Sequence, residues 1–198
     1  MNTQNNLAAL IGSRICHDLI SPIGAIGNGV ELLGMTGEMD GPEMALINES
    51  VVNANARIRY FRIAFGAAKV GQMIGRDEIC SVLQDINHGG RIQFDWHSDN
   101  ELPREHVKLA FLLMQCFESA LPVGGTVLIK QDANKWTLHC QADRINIDTN
   151  AWQLLLSGEG GSGISPSDVH FAIVADVVRQ TGRILQTDLQ QNSISIRF

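Results

Sequence analysis

Along the first third of the chain, apolar positions recur at helical spacing. On a wheel of about 100° per residue they divide the segment into two unlike faces. With His17 at zero, Ile15, Leu19, Ile23, Ile26, Val30 and Leu33 fall within roughly 60° of the opposite pole. The His17 side carries Ser13, Arg14, Ser21, Gly24, Asn28 and Glu31, small or polar residues that leave the imidazole standing clear. This pattern predicts one helix from Thr3 or Leu7 to about Met35. Pro22 should bend it, because proline removes a backbone hydrogen bond. The breaker-rich run from Gly34 to Pro42 then turns the chain, and Pro42 suits the first turn of a second helix. That helix continues through Met44, Leu46, Ile47, Val51, Val52, Ala54, Ile58, Phe61 and Phe65 to about Lys69. Two long helices joined by a short turn make an antiparallel hairpin. One hairpin does not cover so wide an apolar stripe, so a four-helix bundle within a homodimer is expected.

The segment Val70–Gly75 marks a change of pattern, dividing residues 1–73, the helical hairpin, from residues 74–198. A helix capped by Asp77 is expected to Asn87, ended by His88-Gly89-Gly90. Residues 91–96 alternate as a strand does. Pro103 to Ala120 reads as a helix. The runs Thr126–Gln131 and Lys135–Gln141 alternate around Asp132-Ala133-Asn134, which is good hairpin chemistry. A short helix from Ala151 to Leu156, a glycine-rich loop from Ser157 to Gly163, a helix from Asp168 to Gln180 and a closing hairpin of Arg183–Leu189 with Ser193–Phe198 complete the chain. The fold class is therefore α+β, with about five strands in a mixed sheet and helices on one face.

Composition narrows the function classes. The 198 residues are 44% apolar and 18% charged, which are globular values. A net charge of -6 argues against non-specific nucleic-acid binding. No apolar run reaches the roughly 18–20 residues of a membrane span, and the polar start lacks the features of a signal peptide. A cytoplasmic location without membrane contact is expected. Cys16, Cys80, Cys116 and Cys140 form no C-x-x-C pair, so they should be reduced and packed as small apolar residues. His88, His97, His106, His139 and His170 show no metal-ligand spacing and should occupy ordinary surface or strand positions. No lysine follows the 158–163 glycines where a phosphate-binding P-loop needs one. Arg57, Arg59 and Arg62 are either solvated or line a docking groove.

By spacing alone His17 is either a solvated surface histidine or an imidazole placed to be approached by something large. Asp18 sits about 100° around the helix and is placed to hold one ring nitrogen and fix the tautomer. Arg14, one turn earlier, is either an ordinary helix charge or placed for a partner's acids. Ser21, Gly24 and Asn28 are small enough for a partner helix to lie close.

The element order resembles the dimerisation and ATPase-like halves of a two-component histidine kinase. Ile15-Cys16-His17-Asp18-Leu19-Ile20-Ser21-Pro22 looks like the kinase H-box, which puts the phosphorylated histidine on His17, the acidic neighbour on Asp18 and the proline on Pro22. The nucleotide boxes depart from the kinase pattern. The magnesium-binding Asn positions fall on Leu112 and Cys116, the adenine-binding Asp position on Ala142, and the glycines after it on Arg144 and Asn146. An H-box kept beside eroded nucleotide boxes is similar to the ChpT-type histidine phosphotransferases of alphaproteobacteria. That resemblance implies a homodimer with a degenerate ATPase-like α/β sandwich and no kinase activity. It implies that His17 accepts a phosphoryl group from the receiver domain of a hybrid histidine kinase and passes it to response regulators. Asp18 would orient His17, and Arg14, Ser21, Gly24 and Asn28 would meet the partner. No intrinsic cofactor is implied, Mg²⁺ being supplied by the receiver. Two alternatives are a soluble histidine kinase with a divergent ATP site and a receiver-binding scaffold that takes no phosphate.

Overall fold

The computed structural model describes residues 3–36, 41–157 and 164–198. Helix α1 spans Thr3–Thr36 with Pro22 inside it, and α2 spans Pro42–Ala64 with Pro42 in its first turn. The two cross closely at Gly29, which is buried. A Cβ there would lie 2.5 Å from Ile47 Cγ1. Helix α2 ends at Ala64 rather than near Lys69, and cations from a later helix reach its last turn and the carbonyls just beyond it. Arg104 donates to the Arg62 and Ala67 carbonyls at 2.8 and 3.3 Å, and Lys108 Nζ donates to Gly66 O at 2.8 Å. These groups satisfy orphan acceptors at a helix C-terminus and oppose its negative pole.

The remaining elements are β1 (Met73–Gly75), α3 (Arg76–Asn87), β2 (Ile92–His97), β3 (Glu101–Pro103), α4 (Arg104–Ala120), β4 (Gly125–Asp132), β5 (Lys135–Gln141), α5 (Thr149–Ser157), α6 (Val169–Thr181), β6 (Gln186–Leu189) and β7 (Ser193–Arg197). A 3-10 turn, Pro166–Asp168, precedes α6. The main sheet has the order β2-β4-β5-β7-β6, with β2 and β4 parallel and the other neighbours antiparallel. Strands β1 and β3 form a small second sheet where the sequence pattern suggested only a boundary. The N-cap of α3 is Gly75, and Asp77 lies inside the first turn instead of capping it.

Alternate residues of the main strands point into one core: Phe94 and Trp96, Val127 and Ile129, Trp136 and Leu138, Ile194 and Ile196. Helices α4 and α6 supply the opposing layer, with Phe111, Leu112, Phe117, Phe171 and Val174 fully or nearly fully buried. This core crosses the expected division at residue 73. Tyr60, Phe61, Ile63 and Ala64 of α2 belong to it, and Tyr60 Oη donates to Phe111 O at 2.8 Å. Leu7, Leu10, Ile11 and Ile15 of α1 pack against its edge. The hairpin is thus seated on the second half at both of its lower ends, and that seat sets where His17 stands.

The apolar stripe of α1 divides in two. Ile15, Leu19, Ile26 and Leu33 are half-buried, whereas Ile23 and Val30 are bare, and Ile20, outside the expected stripe, is bare with them. Val51, Val52 and Ile58 of α2 are also exposed. Among the described residues the hairpin therefore carries an uncovered apolar strip.

Candidate functional site

His17 lies midway along α1 with its side chain 86% exposed. Asp18, the next residue, is turned toward α2 and only 11% exposed. Its Oδ1 lies 3.2 Å from His17 Nδ1. A carboxylate only accepts hydrogen bonds, so a hydrogen bond at this contact requires the hydrogen on Nδ1, which leaves the lone pair on Nε2. The second oxygen, Oδ2, accepts from Arg14 Nε at 2.9 Å and lies 3.8 Å from Arg57 Nη1. Arg14 is itself largely buried, and its Nη1 donates to the Ser167 carbonyl at 2.6 Å.

A cleft of about 530 Å³ opens beside this group. It runs from His17, Asp18 and Ser21 between α1 and α2 to the turn His88–Arg91 and to Glu118 on α4. Arg91 Nη2 holds the Glu118 carbonyl at 2.9 Å. Burial raises the Glu118 carboxyl above the usual carboxylate range. Arg57, Arg14 and Arg91 pull it back, and Asp18 pushes it up. The three α2 arginines separate by environment. Arg59 is engaged by Asp85 and Ser81 at 2.6 and 3.0 Å, Arg62 reaches Glu78 at 3.2 Å, and Arg57 lines the cleft.

Ser21, Gly24 and Asn28 are exposed on the His17 side of α1, and no atom lies within 4 Å of the place a Cβ on Gly24 would take. The guanidinium of Arg14, in contrast, is engaged inside the chain by Asp18 and Ser167. Leu112 and Cys116 are fully buried in the core, Ala142 is half-buried, and Arg144 and Asn146 are exposed. Cys16 is exposed rather than packed. His170 departs from its expected surface or strand position. It is fully buried in α6, with Nε2 3.4 Å from Ser119 Oγ. Burial, and then the charge of Arg14, push its pKa down to about 3. The glycines 158–163 lie outside the described residues.

Glu118, Ser167 and the His88–Arg91 turn were not legible as site residues. Gly89-Gly90 reads only as a helix stop, and a backbone carbonyl such as that of Ser167 has no side-chain signature. Among the described residues no helix is long and apolar enough to cross a membrane.

The described site is an exposed histidine on a helical hairpin, with one ring nitrogen beside a carboxylate and an α+β layer next to it. The family description "Histidine phosphotransferase C-terminal domain" matches residues 76–193. Protein phosphotransferase ChpT of Brucella abortus (strain 2308) is 40% identical over 131 residues, 65% of this chain. The matched stretch spans 62% of that relative's length. A solved structure described as a 1.7 Å structure of a bacterial phosphotransferase superposes with a TM-score of 0.83 at 29% identity, covering 97% of this chain and 95% of that one. A histidine kinase domain from Erythrobacter litoralis is more remote, with a TM-score of 0.45 and 17% identity over 98% of this chain and 91% of its own. The chain belongs to the histidine phosphotransferase family.

Proposed function

We propose that this chain relays phosphoryl groups between receiver domains, taking them on His17 from a hybrid-kinase receiver and passing them to response regulators. The observation that carries this reading is the pair His17–Asp18: an open imidazole with Nδ1 held 3.2 Å from a carboxylate oxygen. The Nε2 lone pair attacks phosphorus of the receiver's aspartyl phosphate. A P–N bond forms, the P–O bond to the receiver carboxylate breaks, and that carboxylate leaves with the electron pair. The ring becomes cationic while Nδ1 keeps its hydrogen, and the Asp18 carboxylate offsets that charge. Attack by the second receiver's aspartate reverses the step and returns the electron pair to Nε2. Mg²⁺ bound in the receiver would stabilise the charge on the transferring group, so no cation site is required of this chain.

Transfer without nucleotide is supported by the burial of Leu112 and Cys116, whose apolar side chains and thiol face the core where a kinase places magnesium-binding amides. The receiver would lie along the Ser21, Gly24 and Asn28 edge, with Arg14 behind it. The bare strip of Ile20, Ile23, Val30, Val51 and Ile58 is the proposed seam of a homodimeric four-helix bundle. A cytoplasmic location follows from this relay role.

The test is incubation with a phosphorylated receiver carrying labelled phosphate. Label should move to the native chain and not to His17→Ala. Label on the His17→Ala variant refutes the site. Autophosphorylation of the isolated native chain with Mg·ATP refutes the nucleotide-free reading.

A further inference from the structure

Resting on the relay reading of His17, we infer that Arg14 is a positioning residue, one that lets the second half of the chain set the tautomer of the phosphorylation site. Its guanidinium bridges two places far apart in sequence. Nε donates to Asp18 Oδ2 at 2.9 Å, and Nη1 donates to the Ser167 carbonyl at 2.6 Å. Asp18 then presents its other oxygen to His17 Nδ1 at 3.2 Å. The order of contacts is Ser167 carbonyl, Arg14, Asp18, His17.

An ordinary Arg–Asp pair one turn apart on a helix holds its geometry weakly, because both side chains rotate in water. This pair differs in two respects. Both members are largely shielded, at 16% and 11% exposed. The arginine is also fixed at its far end, so rotation away from Asp18 breaks a second, charge-assisted hydrogen bond. The planar fork presents donors at a set separation, which one ammonium group does not reproduce. The far anchor is itself braced. Ser167 sits in the 3-10 turn that opens α6, and Ser165 Oγ donates to Asp168 Oδ2 at 2.5 Å across that turn. A carboxylate held in one orientation selects the Nδ1–H form of His17 and keeps the lone pair on Nε2, the atom that must attack phosphorus. A loosened carboxylate leaves both tautomers populated and places the lone pair on the wrong nitrogen part of the time.

The experiment reads the tautomer directly, by long-range ¹H–¹⁵N correlation on the full-length protein with ¹⁵N-histidine, His17 being assigned with a His17→Gln variant. Native His17 should be predominantly Nδ1–H. Arg14→Gln and Arg14→Lys should both move it toward a mixture, the lysine failing to rescue although it keeps the charge. Transfer from a phosphorylated receiver should fall about ten- to hundredfold in both, the range seen when the outer partner of a metal-bound histidine is removed. Pro166→Gly loosens the anchoring turn without altering any α1 side chain and should shift the tautomer in the same direction by less. It decides the matter if the Arg14 variants do not fold. An unchanged tautomer in folded Arg14→Lys and Arg14→Gln, with Asp18→Asn shifting it, overturns the inference and leaves the relay reading intact. If no receiver labels His17, the relay reading falls, and the tautomer comparison still decides whether Arg14 positions the ring.

Discussion

Acidification should weaken the fold chiefly through His170. Its imidazole is fully buried at the start of α6, and burial followed by the Arg14 charge pushes its pKa from the ordinary 6.5 to about 3. In the unfolded chain the ring titrates near 6.5. Between these values the unfolded state binds a proton that the folded state does not, so stability falls as the pH drops below 6.5. At pH 5 the separation from 6.5 corresponds to about 2 kcal/mol, each unit being about 1.4 kcal/mol. That is a sizeable share of a typical domain stability of roughly 5–15 kcal/mol. Other groups contribute with different signs. His106 is also lowered, by burial and by Arg183, and adds in the same direction, whereas the raised Glu118 favours the folded state on acidification. A His170→Leu variant isolates the effect, since leucine is uncharged at every pH and packs against Phe171 in the same space. Urea unfolding of both proteins at pH 7.5 and pH 5 should show the native chain losing about 2 kcal/mol more than the variant over that interval. Parallel losses, or a His170 resonance that titrates above pH 5.5, refute the reasoning. Arg14→Gln removes the second cause and should raise the His170 pKa.

Three further outcomes are expected. Asp18→Asn should keep the fold and slow transfer to and from His17 by about 10²–10⁴, because the amide no longer enforces one tautomer; quench-flow with a labelled receiver measures it. Gly24→Ala, at an open position, should stabilise α1 by up to about 1 kcal/mol, whereas Gly29→Ala should cost about 1–3 kcal/mol against Ile47, so thermal melts of the two should shift in opposite directions. Ile23→Glu places a charge in the bare strip and should convert a dimer to monomer in light scattering while leaving the monomer folded; an unchanged mass argues against that face as the seam.

The periodicity of the chain was enough to mark α1 and α2, the α4 helix, the strand pairs and the face on which His17 stands. Those are local properties: a period of 3.6 or 2 reports which side of an element is apolar, whatever it later packs against. Residue chemistry at the H-box and at the eroded nucleotide boxes was equally legible, because Leu112 and Cys116 are unsuited to a hard cation in any fold. Folding decided what depends on partners distant in sequence. The end of α2 at Ala64 is met by Arg104, which reaches back to the Arg62 carbonyl, and by Lys108 at the Gly66 carbonyl just beyond it. Docking of α3 engages Arg59 and Arg62 through Asp85 and Glu78, two arginines that share a face of α2 about 140–200° around the helix from Arg57. Packing also splits the α1 stripe into a half-buried part and a bare part that takes in Ile20. Arg14 is the clearest case. Its helix pattern suggests a surface cation facing a partner, and only the carbonyl of Ser167, brought alongside by the docking of α6, makes it a bridge to Asp18. Hydrogen-bond geometry between such distant groups leaves no periodic trace in a sequence, because it depends on backbone atoms that every residue shares.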